Sequence, residues 1–125
     1  MSVAGRIERL RLDTRRAIAK NMRVLQDQRR AAIRDGDVGE VARLQELIRA
    51  LRRQRNDLSF RALRELEDSV DLRLIIDDLQ KATKALHDEA DNIKTVAEAL
   101  EKGAEAIDLA VEIVAKLRSF APLPV

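Results

Sequence analysis

The feature that most constrains this chain is an apolar repeat in its second half. From Leu72 to Val114 apolar residues recur every three or four positions without a gap. The members are Leu72, Ile75, Leu79, Ala82, Leu86, Ala90, Ile93, Ala97, Leu100, Ala104, Ile107, Val111 and Val114. This spacing is typical of a helix with a coiled-coil-like seam. It favours one continuous third helix over about residues 70–118, and a break at Gly103 is the alternative.

The first half predicts two more helices, over about residues 2–34 and 38–66. Ser2 is a candidate N-cap, and the apolar stripe that follows is interrupted by Arg11, Thr14, Asn21 and Gln28. Between the two helices, Gly36 suits a left-handed position, and Asp37 precedes Glu40 at the spacing of a capping box. So short a link favours an antiparallel hairpin. Residues 56–59 are a candidate bend in the second helix.

Composition supports an all-α fold. The chain has four Gly, two Pro and 2% aromatic residues, so the turn signals and aromatic residues of a β fold are missing. We expect an elongated antiparallel helical hairpin plus a long third helix, hence a three- or four-helix bundle. One domain would cover residues 1–118, and residues 119–125, which contain two prolines, would form a tail. Phe60 is expected in the core near the bend.

Charge is distributed unevenly along the chain. Residues 1–64 hold 17 Lys and Arg against 8 Asp and Glu, whereas residues 65–125 hold 7 against 14. The halves therefore carry +9 and −7, which add up to the net charge of +2. We expect the basic half to pack beside the acidic half. A basic arm for a polyanion is the alternative.

The segment 104–117 differs from an ordinary amphipathic helix, because apolar residues cover most of its circumference. Such a helix needs burial on several sides. Three hypotheses compete: the centre of a bundle within one chain, an oligomer or partner interface, and insertion into a membrane. The interface hypothesis ranks first. Its residues are Ile107, Leu109, Val111, Ile113, Val114, Leu117 and Phe120. Phe120 could instead close one end of the core.

An arginine-rich stretch of the second helix is a candidate site for nucleic acid or another polyanion. The residues are Arg43, Arg49, Arg52, Arg53 and Arg55, with Arg61 and Arg64 further along the chain. Phosphate contacts require little beyond such positive charge. Single-strand stacking would require aromatic platforms, which this sequence lacks. We therefore rank polyanion binding below a protein interface.

No pattern predicts catalysis, a cofactor or a metal. Cysteine is absent, the only histidine is His87, and no nucleophile, phosphate-loop or dinucleotide motif occurs. His87 is expected to face solvent. The sequence predicts a non-enzymatic interaction or assembly protein, a homo-oligomer or the binder of a protein partner. Neither a signal-peptide-like segment nor an apolar run of transmembrane length is present, so we expect a cytoplasmic protein.

Overall fold

Four helices make up the regular structure of the part of the chain described here. The computed structural model describes residues 2–59 and 68–120, and those two ranges contain no strand. The helices are α1 (Val3–Arg34), α2 (Val38–Asp57), α3 (Val70–Asp91) and α4 (Val96–Arg118). The predicted all-α class is therefore confirmed.

Each helix begins at a side-chain cap. Ser2, Asp37, Ser69 and Thr95 each accept a hydrogen bond from the backbone N–H three residues later, at 3.0–3.1 Å. Such caps satisfy one of the amides that the first turn leaves unpaired. Gly36 adopts a positive φ of 73° after α1, which a residue with a Cβ would rarely adopt. The predicted turn between the first two helices is confirmed.

The predicted continuous third helix is wrong, and so is the alternative break at Gly103. The chain leaves α3 at Asp91 and starts α4 at Val96, with Asn92 as C-cap and Thr95 as the next N-cap. Thr95 and Glu98 have the spacing of a capping box, and this local signal ends the repeat. Gly103 lies inside α4, where its Cα faces Leu47 and Leu25. A Cβ added there would lie 3.0 Å from Leu47 Cδ1 and 3.1 Å from Leu25 Cδ2, so glycine permits a close helix crossing.

The second helix also ends earlier than predicted. α2 stops at Asp57 rather than at residue 66, and the amides of Leu58 and Ser59 donate to the carbonyls of Arg55 and Asn56, respectively. This end coincides with the predicted bend. Phe60, Arg61, Arg64 and the tail residues 121–125 lie outside the described residues.

The four helices form two antiparallel hairpins that pack side by side. Pairs such as Arg6 with Asp77 and Lys20 with Asp91 show that α1 and α3 run parallel. α1 contacts the other three helices, α4 does the same, and α2 and α3 make no contact within the described residues. Because α1 and α4 meet across the centre, their outer faces point away from each other.

The core is apolar apart from a few polar side chains contributed mainly by α1. The apolar stripe of α1 continues through Arg11, Thr14 and Asn21, all buried. Thr14 Oγ1 lies 3.2 Å from Thr83 Oγ1, and Asn21 Nδ2 donates to the carbonyl of Leu86 at 2.8 Å. Two of the predicted interruptions of the stripe, Thr14 and Asn21, are thus polar contacts that join α1 to α3.

Candidate interaction surfaces

The structure divides the predicted 104–117 interface between core and surface. Ile113, Val114 and Leu117 are buried within the bundle, beside the small residues Ala99, Gly103, Ala106 and Ala110 of the same helix. Ile107, Leu109 and Phe120 are half-buried against the core. Val111 alone among the predicted interface residues is exposed, at 46%. Most of the apolar circumference of α4 therefore packs within its own chain.

The solvent face of α4 carries a repeat of its own, which we name the acidic row. Ala97, Ala104 and Val111 are exposed and seven residues apart. Glu101 and Asp108 alternate with them, also seven apart and exposed. Half of the apolar positions predicted to pack in this helix therefore face solvent. The reason is that α4 is a separate helix, and its buried face differs from the face predicted for one continuous helix.

The solvent face of α1 carries a matching repeat, which we name the arginine row. Arg9, Arg16, Arg23 and Arg30 are exposed at intervals of seven residues. Each arginine is followed three residues later by a member of a second heptad series: Leu12 and Ile33 are exposed at 41% and 56%, and Ala19 and Gln26 are half-buried. At 1.5 Å per residue the row is about 32 Å long. The sequence analysis did not predict this row, because it followed the spacing of apolar residues and not the seven-residue spacing of arginines.

Within residues 2–59 and 68–120, ion pairs neutralise few charges of the basic first half of the chain. Two ion pairs join a basic residue of the first half to an acid of the second, Arg6 with Asp77 at 3.2 Å and Lys20 with Asp91 at 2.7 Å. Arg30 pairs with Asp27 of its own helix at 2.8 Å. Within the described residues Arg9, Arg16 and Arg23 form no ion pair. The internal pairing predicted from the charge asymmetry is therefore partial, and α1 keeps a basic outer face.

The five arginines proposed from the sequence do not share one face of α2. A residue advances about 100° around a helix, so Arg53 projects almost opposite to Arg55. Arg43 and Arg49 are exposed on the side of Arg53, and Arg52 lies one turn before Arg55. Arg55 lines a groove of about 380 Å³ between α1 and α2, together with Arg16, Ala19, Met22, Arg23 and Gln26. The structure therefore joins Arg55 to two residues of the arginine row.

A buried arginine ties the end of α2 to α1. The Arg11 guanidinium is 7% exposed and donates from Nη1 to the carbonyl of Leu58 at 2.6 Å. Its other nitrogens bind both carboxylate oxygens of Glu8. The hydrogen bond from Arg11 holds the pKa of Glu8 below its ordinary value. This contact stabilises the fold rather than a ligand site.

Two carboxyl groups meet between α3 and α4. Burial raises the pKa of Glu89, and the nearby charge of Glu105 raises it further. No group of three or more potential metal ligands occurs in residues 2–59 and 68–120. His87 was expected to face solvent, but it is half-buried and its Nε2 lies 3.1 Å from Asp13 Oδ1 on α1. These groups connect helices and form no recognisable catalytic arrangement.

Comparison with protein-family models, curated proteins and solved structures finds no match to this chain. None of the described helices is long and apolar enough to cross a membrane.

Proposed function

We propose that this chain is a non-enzymatic assembly protein in which the acidic row of one copy docks on the arginine row of the next. The observation that carries the proposal is the shared spacing of the two rows. In each row, charged positions alternate over a heptad with apolar or small residues, apart from Gln26 in the arginine row, and the charges have opposite sign. Helices with such repeats pair along a seam, and complementary charges set their register.

The small side chains of the acidic row suit close approach of a second helix. Ala97 and Ala104 leave space beside Glu101 and Asp108, so the long arginine side chains of a partner can lie across α4 while their heads reach the carboxylates. Leu12, Ile33 and Val111 supply the exposed apolar contacts. The coiled-coil-like nature predicted from the sequence belongs in this proposal to the seam between copies.

Placement of the rows on opposite sides of the bundle dictates the kind of assembly. The two faces of one molecule cannot meet each other, and a copy that docks through its acidic row on α4 still presents a free arginine row on α1. Interfaces of this heterologous kind produce rings or open filaments.

The alternative of insertion of residues 104–117 into a membrane requires Ile113, Val114 and Leu117 to leave the core, and exposing each costs about 1.5–3 kcal/mol.

The experiment is a solution mass by light scattering across protein concentration and between about 0.05 M and about 0.5 M salt. We expect species heavier than the 14.1 kDa chain that grow with concentration at low salt and dissociate at high salt. A monomer under every condition contradicts the proposal.

A pair of variants assigns the interface. Glu101→Lys with Asp108→Lys reverses the acidic row and is expected to give a monomer at low salt. The matched control, Asp78→Lys with Asp88→Lys, makes the same change of net charge at exposed positions of α3 and is expected to keep the assembly. Equal loss in both pairs would mean that net charge, and not this row, governs association.

A further inference from the structure

Beyond self-assembly, we infer that the groove between α1 and α2 binds the phosphate backbone of a nucleic acid. Arg16, Arg23 and Arg55 line this groove from two helices, and none of them forms an ion pair within the described residues. Arg52 lies one turn from Arg55 and Arg9 one heptad from Arg16, both exposed. Five guanidinium groups therefore follow one strip of surface. Asp13 lies beside Arg9 and Arg16, but its carboxylate faces His87 Nε2 at 3.1 Å.

The chemistry of the strip favours phosphates. An arginine guanidinium offers paired donors in a plane that match the oxygens of a phosphate, which a lysine ammonium does not. Gln26 adds an uncharged donor to the groove lining. The side chains are long enough to follow a backbone without a fixed register, so the binding is expected to depend little on base sequence.

Shape and composition favour a linear anion over a membrane surface. The arginine row extends about 32 Å along α1, close to the rise of nine or ten base pairs at about 3.4 Å each. A site for a lipid surface usually adds aromatic or large apolar anchors beside the charges. The groove lining contains Ala19 and Met22 and no aromatic residue.

This site overlaps the proposed assembly seam at Arg16 and Arg23 but differs from it at α2. Arg55 lines the groove and Arg52 lies one turn from it, both outside the assembly seam, whereas Glu101 and Asp108 belong to the assembly alone. A nucleic acid would thus compete with a second copy for the arginine row, and each site can be disabled without the other. We expect added DNA to dissociate the assembly at low salt.

The test is fluorescence anisotropy of the full chain with a labelled mixed-sequence DNA duplex of roughly 20 base pairs, long enough to cover the row about twice. Because about five phosphates would be contacted, we expect the logarithm of the association constant to fall with the logarithm of salt with a slope of about −4.5. Arg52→Gln with Arg55→Gln should weaken binding by roughly tenfold or more and reduce the magnitude of the slope by about two.

The matched control is Arg43→Gln with Arg53→Gln, which removes the same charge from the other side of α2. This pair should weaken binding by about twofold and leave the slope unchanged. Equal effects of the two pairs, or binding insensitive to salt, would overturn the assignment of the groove. Binding to vesicles of anionic lipid without binding to the duplex would also overturn it. Competition by inorganic polyphosphate as strong as by unlabelled duplex would show that a phosphate chain alone suffices.

The two proposals fail separately. Glu101→Lys with Asp108→Lys removes the assembly seam. At protein concentrations too low for assembly, this variant is expected to bind the duplex with the same affinity as the unmodified chain. A chain that stays monomeric and binds the duplex refutes only the assembly, and one that assembles without binding it refutes only the groove.

Discussion

Replacement of Arg11 by alanine probes how the end of α2 is held. The change removes a charged donor from the carbonyl of Leu58 and leaves Glu8 without its bidentate partner. A buried hydrogen bond to a charged group contributes about 1.5–3 kcal/mol, and a partly exposed ion pair within one helix adds about 0.3–0.5 kcal/mol. We therefore expect Arg11→Ala to lower the free energy of unfolding by about 2–3 kcal/mol.

The assay is urea unfolding followed by the helical circular dichroism signal, in salt high enough to keep the chain monomeric. A loss of this size corresponds to a fall in Tm of roughly 10 °C for a domain of this length. Arg11→Met keeps most of the apolar stem and should lose nearly as much, because the hydrogen bonds are the larger part. The matched control Arg49→Ala removes an exposed arginine and should change stability by less than about 0.5 kcal/mol.

Acid provides a second check on the same contact. The pKa of Glu8 is lowered in the folded chain, so its contribution is present at neutral pH and is lost as pH falls below the ordinary value of 4.5. The difference in the free energy of unfolding between Arg11→Ala and the unmodified chain should therefore become smaller in acid. If Arg11→Ala matched Arg49→Ala at neutral pH, the role assigned to this arginine would be refuted.

Three further substitutions test the packing between helices by the same unfolding assay. Gly103→Val places methyl groups where a single Cβ is already 3.0 Å from Leu47, and we expect a loss of about 1–3 kcal/mol; an unchanged midpoint would refute the close crossing. Glu89→Gln should raise stability at neutral pH, because the raised pKa of Glu89 means that stability is lost as pH rises above 4.5; no change in the pH profile would contradict this. Asn21→Asp replaces the buried amide donors by a charge and should cost about 3 kcal/mol at neutral pH, with recovery in acid; equal stability at neutral pH would argue against the contact with Leu86.

Local signals in the sequence predicted the first hairpin well. Gly36 and the pair Asp37 and Glu40 mark a turn whose geometry depends on those residues alone, and the structure places the chain reversal there. The turn between α3 and α4 was missed because the apolar spacing runs through it by coincidence. Thr95 and Glu98 form a capping signal of the same kind. That signal indicates the start of a helix more strongly than the unbroken apolar spacing indicates a continuous one.

The surfaces were harder to predict, since they depend on how helices distant in sequence meet. Arg11, Thr14 and Asn21 interrupt an apolar stripe in the sequence, and only the packing of α1 against α3 and against the end of α2 shows why they are tolerated. The same holds for Arg55. Its neighbours in the groove, Arg16 and Arg23, belong to another helix, so the arginine-rich segment of α2 could not by itself reveal the site.

The most direct test of the proposed assembly mixes two variants that should not assemble alone. One carries Glu101→Lys with Asp108→Lys, and the other carries Arg16→Glu with Arg23→Glu. Each alone presents like charges on both rows and is expected to be a 14.1 kDa monomer by light scattering at low salt. In an equal mixture, the two basic rows of the first variant can dock on the two acidic rows of the second. Species heavier than the monomer should therefore form again. A mixture that remains monomeric, or single variants that assemble, would contradict the docking of the acidic row on the arginine row.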